Sequence, residues 1–204
     1  MADEYIYVYR VCNADFVKPH NGYGSTMRNG GRWNSNKYPC IYAGANRSIA
    51  QLEWVSHSLI NEFDFPNLIM VTYAVPKDQI FVLDISKYPD WIHNEVLTKQ
   101  LGDEFFRKKE SIALCVPSAM DPKELNYVIN PTHPEFSAPK MVINDSEVLI
   151  LNKRFFEVKE FLKMALNINS PAKLVADAKL AKYISENKST PVYKRSHPRR
   201  SSKK

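Results

Sequence analysis

Four residue types in this chain could do chemistry if the fold brought them together. Arg32 follows two adjacent glycines in NGGRWNS, residues 29–35. Its guanidinium is a permanent charge with a planar donor fork that fits phosphate or carboxylate. Paired glycines let backbone approach a bound group closely, although Gly30 and Gly31 also suit a plain turn carrying a surface arginine. Glu53 lies in NRSIAQLEWVSHSLI, residues 46–60, a predicted helix with Asn46 or Ser48 as cap. At helical spacing Glu53 falls beside Ile49 and Ile60 rather than on the polar face. A carboxylate there either bends out to solvent or points into a pocket that must satisfy it. Tyr42, in CIYAG, either packs the core or offers its ring to a flat ligand. Ser118 follows Pro117 at a predicted strand end; with no Gly-x-Ser-x-Gly elbow in the chain, it has no support as a nucleophile.

The elements that would position these residues follow from hydrophobic patterning. Strands are predicted at 4–12, 40–44, 68–75, 79–85, 111–118 and 146–152. Helices are predicted at 46–60 and at 90–102, the second ending at Gly102, with one or two more over 155–187. Residues 13–38 and the proline-rich stretch 117–136 read as long irregular segments, and Asn126, Asn130 and His133 in the latter as turn residues. Strands and helices mix without regular alternation, so the expected class is α+β.

Composition narrows the function. The 204 residues are 44% hydrophobic and 25% charged, enough for a packed core. No apolar run is long enough for a membrane helix, and MADEYIYVYR lacks the pattern of a secretory signal. Three scattered cysteines fit a reducing cytosol, so a cytoplasmic location is expected. Neither the cysteines nor the five histidines have metal-ligand spacing, and no metal is expected. The net charge of +6 is local: residues 188–204 hold seven of the 28 basic residues and none of the 22 acidic ones, leaving 21 against 22 in residues 1–187. This serine- and proline-rich tail reads as disordered. It could bind nucleic acid through charge alone, or be a bystander.

Five short motifs occur in order: GGRWNS, IYAG, AQLEW, CVPSA and NYVINPTHPEF. Together they closely resemble the RES-domain family, toxins of bacterial toxin–antitoxin pairs, from about Tyr9 to Phe156. The resemblance implies an ADP-ribosyltransferase-like mixed β core over residues 1–156, followed by a helical extension at 157–187 and the tail. It implies NAD as substrate, and carries the family's arginine, tyrosine, glutamate and serine onto Arg32, Tyr42, Glu53 and Ser118. Arg10, in YRV, matches an arginine often found on the first strand.

On that reading Arg32 binds the NAD pyrophosphate with charged hydrogen bonds, and Gly30–Gly31 let backbone approach the same phosphates. Tyr42 stacks against nicotinamide. Glu53 stabilises the positive charge that develops on the ribose as the nicotinamide bond breaks, and Ser118 holds a phosphate or ribose oxygen. Water, phosphate or a protein side chain could then accept the ADP-ribosyl group. The implied activity is NAD depletion by hydrolysis or phosphorolysis; the alternatives are ADP-ribosylation of a protein target and, in another class, nucleic-acid binding through the tail. An Xre-like antitoxin and a homodimer are the partners the resemblance implies. The family usually ends near the last predicted strand, so the additional C-terminal residues depart from its pattern.

Overall fold

The computed structural model describes residues 4–24, 30–57 and 67–152, together with Arg154. The helices expected over 155–187, the extension at 157–187 and the basic tail lie outside the described residues, as does the end of the 46–60 helix. Residues up to Asn152 form one compact unit.

Seven strands build one sheet: β1 (Tyr5–Asn13), β2 (Ile41–Gly44), β3 (Leu68–Pro76), β4 (Ile80–Val82), β5 (Ala113–Pro117), β6 (Leu125–Ile129) and β7 (Val142–Leu149). Their order is β4-β5-β6-β2-β1-β3-β7. Only β4 and β5 run parallel; every other pair is antiparallel. Among the described residues three α-helices flank it: α1 (Arg47–His57), α2 (Glu95–Lys108) and the single turn α3 (Ala138–Met141). The expected α+β class holds, with a mixed sheet.

Register decides what shares a face. Tyr9 lies opposite Gly44, Gly44 opposite Asn126, and Asn126 opposite Val116. Directly opposed residues point the same way, so these four positions form a row across four strands. Two residues back along β2, Tyr42 opposes Val128, which opposes Leu114. Leu114, Val116 and Val128 pack with Trp33, Trp91, Phe105 and Phe106 into one apolar cluster, with Tyr42 against its edge. The alternate residues of the same strands, among them Val8, Cys12, Ile41, Ala43, Val71 and Ile129, build a second cluster on the reverse face. Burial on both faces accounts for the near-continuous apolar runs of β3 and β5.

α1 lies over β1 and β2 because position 44 has no side chain. A Cβ there would meet the Ile49 side chain and stand 2.8 Å from the Ala50 nitrogen. The helix begins at its cap, where Asn46 Oδ1 accepts from the Ile49 amide at 2.9 Å.

Several boundaries differ from expectation. α2 starts at Glu95, capped by Asn94, and runs through Gly102 to Lys108; Lys109 then takes the left-handed conformation at φ 52°. Gly102 is a packing residue rather than a terminator, for a Cβ there would run into the Trp33 carbonyl. Only Ile80–Val82 of the 79–85 segment is strand, because short 3-10 turns occupy Lys77–Gln79 and Ile85–Lys87. The stretch 117–136 contains the fully paired strand β6. β7 begins at Val142, four residues earlier than expected, and forms one edge of the sheet.

Candidate active site

Glu53 projects from α1 beside the Tyr9–Gly44–Asn126 row, with its side chain 22% exposed. Its two oxygens are treated differently. Oε1 accepts from Ser118 Oγ at 2.6 Å and from Asn126 Nδ2 at 2.6 Å. Among the described residues Oε2 has the His57 ring, one turn on, with Nε2 at 3.6 Å. Burial pushes the Glu53 carboxyl up, but hydrogen bonds from His57, Ser118 and Asn126 outweigh it and hold it below the ordinary carboxylate value. His57 is 82% exposed, so water screens its share and the two 2.6 Å bonds are the firmer anchors.

A pH test follows. A carboxyl with a depressed folded-state pKa stabilises the fold above its unfolded value, near 4.3 for glutamate, and that contribution is lost as pH falls through the folded value. Wild-type stability is therefore expected to decline below about pH 4.3 more steeply than that of Glu53→Gln, in denaturant titrations at a series of pH values. Parallel acid limbs would contradict it.

Ser118 is fully buried, and its hydroxyl is fully engaged. While donating to Glu53 it accepts from the Met120 and Asp121 amides at 3.0 and 3.4 Å, and its own amide bonds the Glu124 carbonyl. The hydroxyl thus links Glu53 to the loop after β5, its proton given to Glu53 and its lone pairs facing two amides.

Arg32, Gly31 and Tyr42 meet in a neighbouring cluster. Gly30, at φ 72°, starts a turn that the Gly31 amide closes onto the Asn34 carbonyl at 2.9 Å. The Tyr42 hydroxyl ties this turn down, accepting from the Trp33 amide at 2.8 Å and donating to Asn34 Oδ1 at 2.9 Å. A Cβ on Gly31 would stand 2.7 Å from that hydroxyl, so the phenol fills the space glycine leaves. Burial, with Cys40 nearby, pushes the Tyr42 phenol well above its ordinary range. Arg32 leaves the turn in another direction. It donates to the Ile92 carbonyl at 3.0 Å and stands 3.7 Å from the Glu95 carboxylate, with its side chain 26% exposed.

Removing the Tyr42 hydroxyl would take away the acceptor of the Trp33 amide and one donor to Asn34 Oδ1. Tyr42→Phe is expected to cost about 1–3 kcal/mol in chemical denaturation. A change under about 0.5 kcal/mol, the ordinary surface-substitution range, would show that water replaces both bonds.

Arg10 lies apart from these clusters. β1 alternates, so Arg10 opposes Val71 on the reverse face of the sheet, near the Tyr73 phenol and the Cys12 thiol. Sequence reasoning read Asn126 as a turn residue, whereas it lies in β6 paired on both sides, and it missed His57. His57 carried a usable signal, its position four residues after Glu53. Asn126 was marked by being the one polar residue within the short apolar run LNYVI.

A cleft of about 630 Å³ opens beside the Ser118 loop, lined by Tyr9, Asn46, Arg47, Leu52, Asp121 and Glu124 among others. Asn46 Nδ2 bonds Glu124 at 2.7 Å, while the Arg47 guanidinium grips Glu147 of β7 and lies over the Tyr9 ring. Glu53, Ser118 and Asn126 border this region without lining the cleft, and neither Arg32 nor Tyr42 lines it. Among the described residues no group of three or more histidine, cysteine or acidic side chains could hold a metal, and no helix is long and apolar enough to cross a membrane.

A half-buried carboxylate on a helix that packs over the central strands of a mixed sheet, beside an arginine-bearing glycine turn, sets the candidate site in an α+β protein. The RES domain model matches residues 7–150, and the chain belongs to that family. Curated relatives include Toxin Res of Photorhabdus laumondii, 32% identical over 133 residues, which are 63% of this chain and 84% of that one. Toxin Res of Pseudomonas putida is 31% identical over 58% of this chain and 83% of its own length. The Prs ADP-ribosylating toxin of a Sphingobium species is 29% identical over 52% of this chain and 69% of its own. Among solved structures, the Mycobacterium tuberculosis MbcT–MbcA toxin–antitoxin complex contains a chain that superposes with a TM-score of 0.55 at 14% identity, covering 76% of this chain and 90% of that one. That likeness is one of fold.

Proposed function

We propose that this protein is a toxin that cleaves the nicotinamide–ribose bond of NAD and so depletes the cofactor. One observation carries the reading: the Glu53 carboxylate is largely buried yet kept ionised, with Oε1 fixed by Ser118 and Asn126. A fixed negative charge in a site of reduced dielectric favours a developing oxocarbenium-like ribose far more than a mobile one in water would. Oε2, the less engaged oxygen, faces that charge. Arg32 supplies the pyrophosphate contact: its Glu95 partner is 59% exposed and 3.7 Å away, a weak pairing that phosphate would displace. Tyr42 holds the Arg32 turn in register through its hydroxyl.

The matched Toxin Res proteins support a toxin role, and the fold shared with a chain of a toxin–antitoxin complex supports an antitoxin as partner, of the Xre-like kind the family resemblance implies. A second reading has its own support: one relative is named an ADP-ribosylating toxin. Both readings share cleavage of the same bond and differ in the acceptor.

The test is to mix purified protein with NAD, with and without inorganic phosphate, and to follow NAD and free nicotinamide. Loss of NAD without phosphate indicates hydrolysis, and phosphate-dependent loss indicates phosphorolysis. Intact NAD in both, with labelled ADP-ribose appearing on proteins of a lysate, would replace depletion with transfer. Intact NAD and no labelled protein would remove NAD chemistry altogether.

A further inference from the structure

We propose that Asn126 is a positioning residue for Glu53, fixing Oε1 so that Oε2 is the only working oxygen of the carboxylate. The inference rests on the reading of Glu53 given above and adds a residue to it. Asn126 sits in the middle of β6, bonded into the sheet on both sides, opposite Gly44 and Val116. Its side chain is 9% exposed, and Nδ2 stands 2.6 Å from Glu53 Oε1.

The second observation is what the other end of the amide does. Asn126 Oδ1 is buried and has no hydrogen-bond partner among the described residues. An asparagine kept for stability would satisfy both ends, because an unmade bond to a buried acceptor is a cost with no return. Here one end is left unpaired while the other holds a catalytic carboxylate. An apolar residue at 126 would remove the orphaned acceptor and pack with Val116 and Val128, but it would free Glu53. Local consistency is broken in the way expected where a residue serves a site rather than the core.

Ser118 alone would not fix the carboxylate. One hydroxyl donor lets the group swing about a single bond, whereas two donors from two strands, β6 and the end of β5, set both its direction and its plane. Oε2 is then left pointing away from the sheet, with the exposed His57 as its neighbour.

The test uses two variants of the full chain. Asn126→Asp is nearly isosteric but sets a second carboxyl against Glu53, and Asn126→Ala removes the donor. Glu53 titration is read directly by carboxyl carbon NMR, which needs no substrate, with Glu53→Gln identifying the resonance. Steady-state NAD consumption is read alongside. Glu53 is expected to titrate at higher pH in both variants, most in Asn126→Asp, because two neighbouring carboxylates cannot both ionise freely. The acid limb of kcat is expected to move up with it. At the pH optimum kcat should fall about tenfold to a hundredfold with KM changed less than about twofold, the pattern of a contact that matters in the transition state. If Asn126→Ala does not fold, Asn126→Asp alone decides. Glu53 titrating in the variants as in wild type would overturn the proposal, as would a kcat loss with an unmoved pH profile. If Glu53 shifts but no form of the protein consumes NAD, the hold of Asn126 on Glu53 stands and the NAD reading fails.

Discussion

Glu53→Gln is expected to lower NAD cleavage by about a thousandfold or more while leaving the fold in place, a loss of about 4 kcal/mol of transition-state stabilisation. The substitution is nearly isosteric. A glutamine Oε1 still accepts from Ser118 and Asn126, the two 2.6 Å contacts that hold the wild-type group. Its Nε2 takes the place of Oε2 and can donate to a neutral His57. What disappears is the negative charge, and with it the attraction for a ribose becoming cationic. The variant should therefore bind NAD with little change, unfold at a similar denaturant concentration at neutral pH, and turn over negligibly. Retained turnover within tenfold of wild type would mean that Glu53 does not face the reacting carbon.

The largest expected effect on stability belongs to Gly102→Ala. Helix propensity alone would make this an improvement, since glycine inside a helix is about 1 kcal/mol worse than alanine. The structure reverses the sign. A Cβ at 102 would overlap the Trp33 carbonyl oxygen and stand 2.6 Å from the carbonyl carbon. Those are backbone atoms, so they cannot rotate aside. Trp33 is itself 2% exposed and stacked on Trp91, with its amide held by Tyr42. The methyl group must push α2 off the 30–34 turn or push the turn off Tyr42. A loss of about 3 kcal/mol or more is expected in chemical denaturation. It should be accompanied by weaker NAD binding, because Arg32 rides on the displaced turn. A Gly102→Ala protein as stable as wild type would place α2 farther from Trp33 than found here.

These two positions show how differently the sequence exposed the site and the fold. Glu53 could be suspected from helical phase, because a carboxylate beside Ile49 is anomalous wherever the helix ends up. β1, β2, β3 and α1 were legible for the same reason: their patterning is local. Gly102 was misread as a helix stop because the same residue serves as terminator or as close-packing point, and only a partner distant in sequence distinguishes them. β6 was hidden by the prolines around it and by Asn126, whose inward-facing amide breaks the apolar run that marks a buried strand. The residue that obscured the element is the one that touches Glu53. Ser118 was found, and its hydroxyl meets Glu53 and two backbone amides, partners far too distant or too local to show in the spacing. Arg10 was carried over by resemblance, and strand alternation puts it on the reverse face.

The order of strands in the sheet also sets a schedule. Glu53 is held by residues 65 and 73 positions farther along the chain. The β6 strand that carries the second of them completes the pairing of β2. At about 5–20 residues per second, synthesis delivers Asn126 roughly 4–15 s after Glu53. Until then the carboxylate lacks Asn126 and β2 lacks its neighbour, although the emerging chain already carries every residue of the GGRWNS, IYAG and AQLEW motifs. On the proposed reading, competence arrives with closure of the sheet rather than with any one segment, and a ribosome-bound fragment ending before β6 is expected to leave NAD intact.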